Sequence, residues 1–171
     1  MSQKLVEYFK SNSKIDFEAN SILKCSARQN DDKEVLVNIT LDHPLKLEEY
    51  NTIKELNYTL FVIKGGRPSV STIMSYEHQD LENVEALKYI KEAINDLVLE
   101  KTRFRCFQGL NINFKDNTYI FGVDKDSLFL QSEAYILEDK LKEYGLTYKV
   151  KFEVDPNLIS LKEKINKKIN I

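Results

Sequence analysis

The sequence predicts an α+β chain made of two small two-layer domains. Apolar residues switch between helical and strand periodicity in the order helix, two strands, helix, strand, and the same order recurs in the second half. In each half the two alternating runs are joined by a short turn rich in Asn and Asp, which predicts one antiparallel hairpin per half.

Leu5, Val6 and Phe9 stand at helical spacing in residues 2–10 and mark a short amphipathic helix. Strand-like patterning begins near Ala19 and passes through Ile22 and Leu23. Val35, Val37, Ile39 and Leu41 then alternate with Leu36, Asn38 and Thr40. Asn30, Asp31, Asp32 and Lys33 supply the turn between these runs. Pro44 ends the second strand, because it has no donor for a ladder and holds His43 extended. Leu47, Tyr50, Ile53 and Leu56 follow a helical period. The run Tyr58–Lys64 (YTLFVIK) is expected to be a central strand, stopped by Gly65, Gly66, Arg67 and Pro68. Residues 69–76 follow as an edge strand or as the entry to the next helix.

In the second half Asp80 is expected to cap a long amphipathic helix running from Leu81 through Val84, Leu87, Ile90, Ile94 and Leu97 to near Glu100. The connector 101–108 carries Phe104 and Phe107, which should pack inward. Leu110, Ile112 and Phe114 alternate up to a turn at Asp116 and Asn117, and Tyr119, Phe121 and Val123 form the return strand. Asp126 or Ser127 should cap a helix bearing Leu128, Leu130, Ile136, Leu137 and Leu141, with Gly145 as a left-handed terminator. Tyr148, Val150, Phe152 and Val154 make the last strand. The expected boundaries are 1–76, 77–154, and a helix-like tail over 155–171. The second domain has the element order of a type II KH domain.

Charge narrows the function classes. The chain has 171 residues with 25 Lys and Arg against 27 Asp and Glu, a net charge of -2, so no general phosphate-neutralising surface is expected. Basic residues exceed acidic ones only in the tail. No run approaches the roughly 18 to 20 apolar residues of a membrane span, and the expected location is the cytoplasm. Cys25 and Cys106 are far apart with no metal-ligand spacing, and both are expected to be buried thiols.

The usual catalytic patterns are missing from the sequence. His43 and His78 have no neighbouring Ser or Cys in a nucleophile elbow. Residues 65–69 follow an apolar run as a phosphate loop does, yet lack both glycine spacings that cradle phosphate. Asp124, Asp126 and Glu133 lie around a helix start, where carboxylates favour the helix dipole. No catalytic residue, metal site or cofactor is therefore expected. Lys101, Arg103 and Arg105 interleave with Phe104 and Phe107, the mixture that contacts and stacks on single-stranded nucleic acid. No GXXG sequence occurs, so a KH-like second domain would lack its usual nucleic-acid clamp and favours protein binding.

Four stretches carry a family resemblance: VLVNITLDHPLKLEEYNTIKEL, YTLFVIK, SYEHQDLENVEALKYIKEAI and FKDNTYIFGVDKDSLFLQSEAYILEDKLKEYGL. In order and spacing they resemble the N-terminal region of the PolC-type DNA polymerase III of low-GC Gram-positive bacteria and mollicutes, over about residues 15–165. In that family a first small domain precedes a KH-like domain related to the polymerase-binding domain of the clamp-loader tau subunit, and then a charged helical linker, which LKEKINKKINI resembles. The resemblance implies a non-catalytic front end of a DNA-directed DNA polymerase with 3'-5' exonuclease activity, whose catalytic parts lie outside this stretch. It also implies protein contacts within the replisome, with tau or another replication factor, and weak or no nucleic-acid binding. Expected contact residues are Arg103 and Arg105 in the connector and Gly65, Gly66 and Arg67 in the loop. The alternative expectation is a small standalone single-stranded nucleic-acid-binding protein.

Overall fold

The chain is α+β, with two three-stranded sheets that belong to separate compact units. The computed structural model describes residues 2–158 together with Ile165, Asn166 and Lys168. One unit comprises Met1–Glu85 with Lys142–Leu146, the other Ala86–Leu141 with Thr147–Ile171. The sequence boundary at residue 76 and the continuous second domain over 77–154 differ from this division. The expected linker over 155–171 falls largely outside the described residues.

In the first unit, α1 (Gln3–Asn12) starts where the Ser2 hydroxyl accepts the Leu5 amide, and it buries Leu5, Val6 and Phe9. Strands β1 (Ile22–Gln29) and β2 (Val35–Leu41) pair antiparallel as expected. Their turn is closed by Asn30, whose side chain accepts the Glu34 amide at 2.9 Å, with Lys33 at φ +63°. Helix α2 (Leu47–Asn57) buries Tyr50 and Ile53, and the Tyr8 hydroxyl on α1 donates to the Leu56 carbonyl at 2.9 Å.

The third strand is not Tyr58–Lys64. That run is π-helical and continues directly from α2, while β3 (Val70–Tyr76) pairs parallel to β2 from Val35↔Val70 to Leu41↔Tyr76. The reason is the path a parallel pair demands. The chain leaves β2 at Leu41 and must return to the Val35 end, a distance of about 20 Å for seven strand residues. Eleven residues of α2 span only about 16 Å. The extra helical turns of Tyr58–Lys64 complete the return, and the 65–69 loop turns the chain into β3. On one face of the sheet Cys25, Ile39 and Met74 form a buried row under the helices.

The second unit repeats the same plan. Helix α3 (Asn83–Glu100) begins three residues beyond the expected Asp80 cap and buries Ala86, Tyr89, Ile90, Ala93, Ile94 and Leu97. A 3₁₀ segment, Thr102–Phe107, turns Phe104 and Phe107 inward as expected. Strands β4 (Asn111–Lys115) and β5 (Thr118–Val123) form the second hairpin. Asp116 and Asn117 both have positive φ, +52° and +56°, the geometry of a primed two-residue turn. The following 3₁₀ segment Lys125–Glu133 is capped by Asp124, two residues before Asp126 and three before Ser127, the two caps expected. Asp124 accepts from the Asp126 amide at 2.9 Å and from the Ser127 hydroxyl at 3.0 Å. Helix α4 (Ala134–Glu143) and the parallel strand β6 (Lys149–Val154) complete the order.

Aromatic rings fill this second core. Phe114, Tyr119 and Tyr148 meet with centroids 4.7 to 5.9 Å apart, and Phe152 packs against both Phe107 and Phe121. The buried Tyr119 hydroxyl donates to the Ala86 carbonyl, and burial, with Tyr148 adding to it, pushes that phenol well above its ordinary range. The outer edge of β6 is covered by side chains: Glu138 accepts the Val150 amide at 2.8 Å and Gln131 accepts the Phe152 amide at 2.7 Å.

Gly145 has the positive φ, +86°, expected of a helix terminator, and a second requirement besides. A Cβ there would lie 2.7 Å from the Met74 carbonyl oxygen and 2.9 Å from the Tyr76 ring. Gly109 has a similar φ of +74° and open space around it. Gly145→Ala should therefore destabilise by the backbone strain of roughly 1–2 kcal/mol plus the cost of moving β3, and Gly109→Ala by the strain alone. Chemical denaturation of the two variants checks this ordering; equal losses contradict it.

Candidate interaction surface

The π-helical run Tyr58–Lys64 is the feature of the first unit that packing explains least. Thr59, Val62 and Ile63 are β-branched and crowd an ordinary helical turn, and the wider turn of this run is a form that recurs at functional sites. At its start Asn57 is fully buried: its amide nitrogen donates to the Thr72 hydroxyl at 2.8 Å, while its amide oxygen has no partner among the described residues. No residue of the run is buried, although five of its seven are Tyr, Leu, Phe, Val or Ile. Tyr58 is 53% and Ile63 65% exposed, with Leu60, Phe61 and Val62 half-buried.

The loop that follows is built by its glycines. A Cβ on Gly65 would meet the Phe61 carbonyl oxygen at 2.8 Å, and Gly66 has φ +66°. The Arg67 amide then donates to the Phe61 carbonyl at 3.0 Å, closing the helical end. Arg67 itself is exposed, with no acidic partner among the described residues. The expected contact residues Gly65, Gly66 and Arg67 thus lie beside an uncovered apolar run, a combination of aromatic, aliphatic and arginine side chains that marks binding surfaces. Reading that run as a central strand hid this surface. The available signal was the missing polar turn between Leu56 and Tyr58.

The connector candidates fare differently. The Arg103 guanidinium pairs with Glu133 at 3.2 Å and lies 4.3 Å from the Phe104 ring centroid, while Arg105 is exposed. Phe104 and Phe107 are buried, so they offer no platform for bases to stack on. The loop and the connector belong to different units and are separate surfaces.

The two histidines meet at one carboxylate, which spacing did not show. The His43 Nδ1 lies 3.4 Å and the His78 Nε2 3.7 Å from oxygens of Asp42. The parallel pairing brings them there, because the His78 amide donates to the Asp42 carbonyl just beyond the paired strands. His43 also lines a cavity of about 290 Å3 in the first unit, beside Asp80 and Glu82. The buried polar groups of that cavity are engaged in holding backbone: Asn20 bonds both the amide and the carbonyl of His43, and Glu85 accepts the Leu47 amide. Among the described residues no three His, Cys, Asp or Glu side chains converge as metal ligands, and no helix is long and apolar enough to cross a membrane.

The thiols are not alike, contrary to the expectation that both are buried. Cys25 is 1% exposed on the inner face of the first sheet, whereas Cys106 is exposed because Phe104 and Phe107 take the inward positions of their 3₁₀ segment. No protein-family model matches the sequence, and no curated protein matches it.

Burial pushes the Cys25 thiol from 9.0 up to about 11. Cys106 is the thiol that a disulfide reagent should reach in the native protein, at a rate held down because partial burial and the Glu133 carboxylate push the thiol above its ordinary value; Cys106→Ser should abolish that phase and leave Cys25 to react on unfolding. The folded state holds the Cys25 proton more tightly than the unfolded state does. Its contribution to stability is complete below pH 9.0 and is lost as pH rises through about 11. Denaturation of wild type and Cys25→Ala across that window measures it: the difference between them should shrink with rising pH.

Proposed function

We propose that this chain is a non-catalytic protein-interaction module of a PolC-type replicative polymerase, acting in the cytoplasm within the replisome. The observation that carries the reading is the uncovered apolar π-helical run beside Arg67. Solvent-facing Tyr58 and Ile63, half-buried Leu60, Phe61 and Val62 and the exposed Arg67, which has no acidic partner among the described residues, form the kind of patch from which interface hot spots are built. The element order of the second unit, with a parallel third strand beside a hairpin, supports the KH-like part of the resemblance. Between its 3₁₀ segment and α4 the chain passes through Glu133 and Ala134 without a glycine loop, which favours a protein partner over a clamped nucleic acid. The clamp-loader tau subunit, or another replication factor, is the proposed partner.

The purified chain should neither extend nor degrade a primer on a primed template. It should bind purified tau in a calorimetric titration, and Ile63→Asp with Arg67→Glu should weaken that binding at least tenfold, about 1.4 kcal/mol, with thermal stability unchanged. Nucleotide incorporation by the isolated chain contradicts the reading. Equal binding by the double variant removes this surface from it.

A further inference from the structure

We infer that the solvent face of the second sheet binds the phosphate backbone of single-stranded nucleic acid through Lys115, Lys149 and Lys151. Strand register assembles this face from distant parts of the sequence. Lys115 pairs with Thr118 and Thr118 with Lys149, so the two lysines occupy one row about 10 Å apart. The next row on the same face holds Asn113, Ile120 and Lys151, with Lys151 about 7 Å along β6 from Lys149. All three lysines are exposed. Lys151 pairs with Glu153 at 3.0 Å, while Lys115 and Lys149 have no acidic partner among the described residues.

This concentration runs against the charge of its surroundings. Residues 80–154 carry 11 basic and 14 acidic side chains, yet on this face the three lysines outnumber the two carboxylates, Glu153 and Asp155, which lie together at its far end over Gly122. Lysines on edge strands often serve to prevent edge-to-edge pairing, but β6 does not need them for that. Its outward Val150 and Phe152 amides are already taken by Glu138 and Gln131.

The chemistry of the face selects the occupant. Three ammonium groups with the Asn113 amide beside Lys115 offer donors to phosphate oxygens, while the Thr118 hydroxyl already donates to the Asp116 carbonyl. A folded protein partner needs apolar anchors, and Ile120 is the one large apolar side chain on these two rows. With no aromatic ring present, base stacking is absent and binding rests on charge, independent of base sequence. Lys149 and Lys151 stand about 7 Å apart, a spacing that suits successive phosphates of one strand, and Lys115, about 10 Å from Lys149, extends the row.

Fluorescence anisotropy with a labelled oligothymidylate tests this on the full chain. Wild type should bind with Kd on the order of 10 µM at about 50 mM salt, and log K should fall against log salt with a slope of about -2. Lys115→Gln with Lys149→Gln should weaken binding at least tenfold with an unchanged melting curve, and Lys149→Glu should weaken it as well. No binding by wild type, or equal binding by the variants, overturns the inference. Tighter binding to a duplex overturns the assignment to a single strand, and displacement by polyglutamate at equal charge assigns the face to an acidic protein instead.

Discussion

The parallel pairing of the third strand with the middle strand is the constraint from which the rest of each unit follows. A hairpin is satisfied by two residues of turn, but a parallel partner requires the chain to travel back along the whole strand before it pairs. In the first unit that journey is made by α2 and the π-helical run, in the second by a 3₁₀ segment and α4. The return places helices on one face of each sheet and leaves the other to solvent. It also brings His78 beside Asp42 and sets Lys149 in the row of Lys115.

What the sequence makes legible is what local chemistry decides. Both hairpins were readable because alternation and turn residues lie within one stretch of chain, and Lys33, Asp116 and Asn117 do adopt positive φ. The buried face of α1 and the terminator at Gly145 were readable for the same reason. Tyr58–Lys64 was not. A short apolar run fits a strand or a helix equally well by periodicity, and only the non-local pairing of β2 with β3 decides between them. The start of α3 and the exposure of Cys106 likewise depend on which neighbouring residues win the inward positions.

The candidate surfaces divide along the same line. Gly65, Gly66 and Arg67 were identifiable as a loop, but the surface they border became visible only once the preceding run proved helical and uncovered. Arg103 was identifiable as a cation, but its contacts with Glu133 and Phe104 give it a structural task that sequence does not reveal. The lysines of the second sheet look unremarkable in sequence, since Lys115 and Lys149 are widely separated. Register alone makes them neighbours.

The central claim is that these two units form the front of a replicative polymerase, and the size of the native product tests it most directly. An antibody raised against this chain, used to immunoblot the source cells, should detect a band several times larger than 20.0 kDa. A band at 20.0 kDa would contradict the claim and leave a standalone protein.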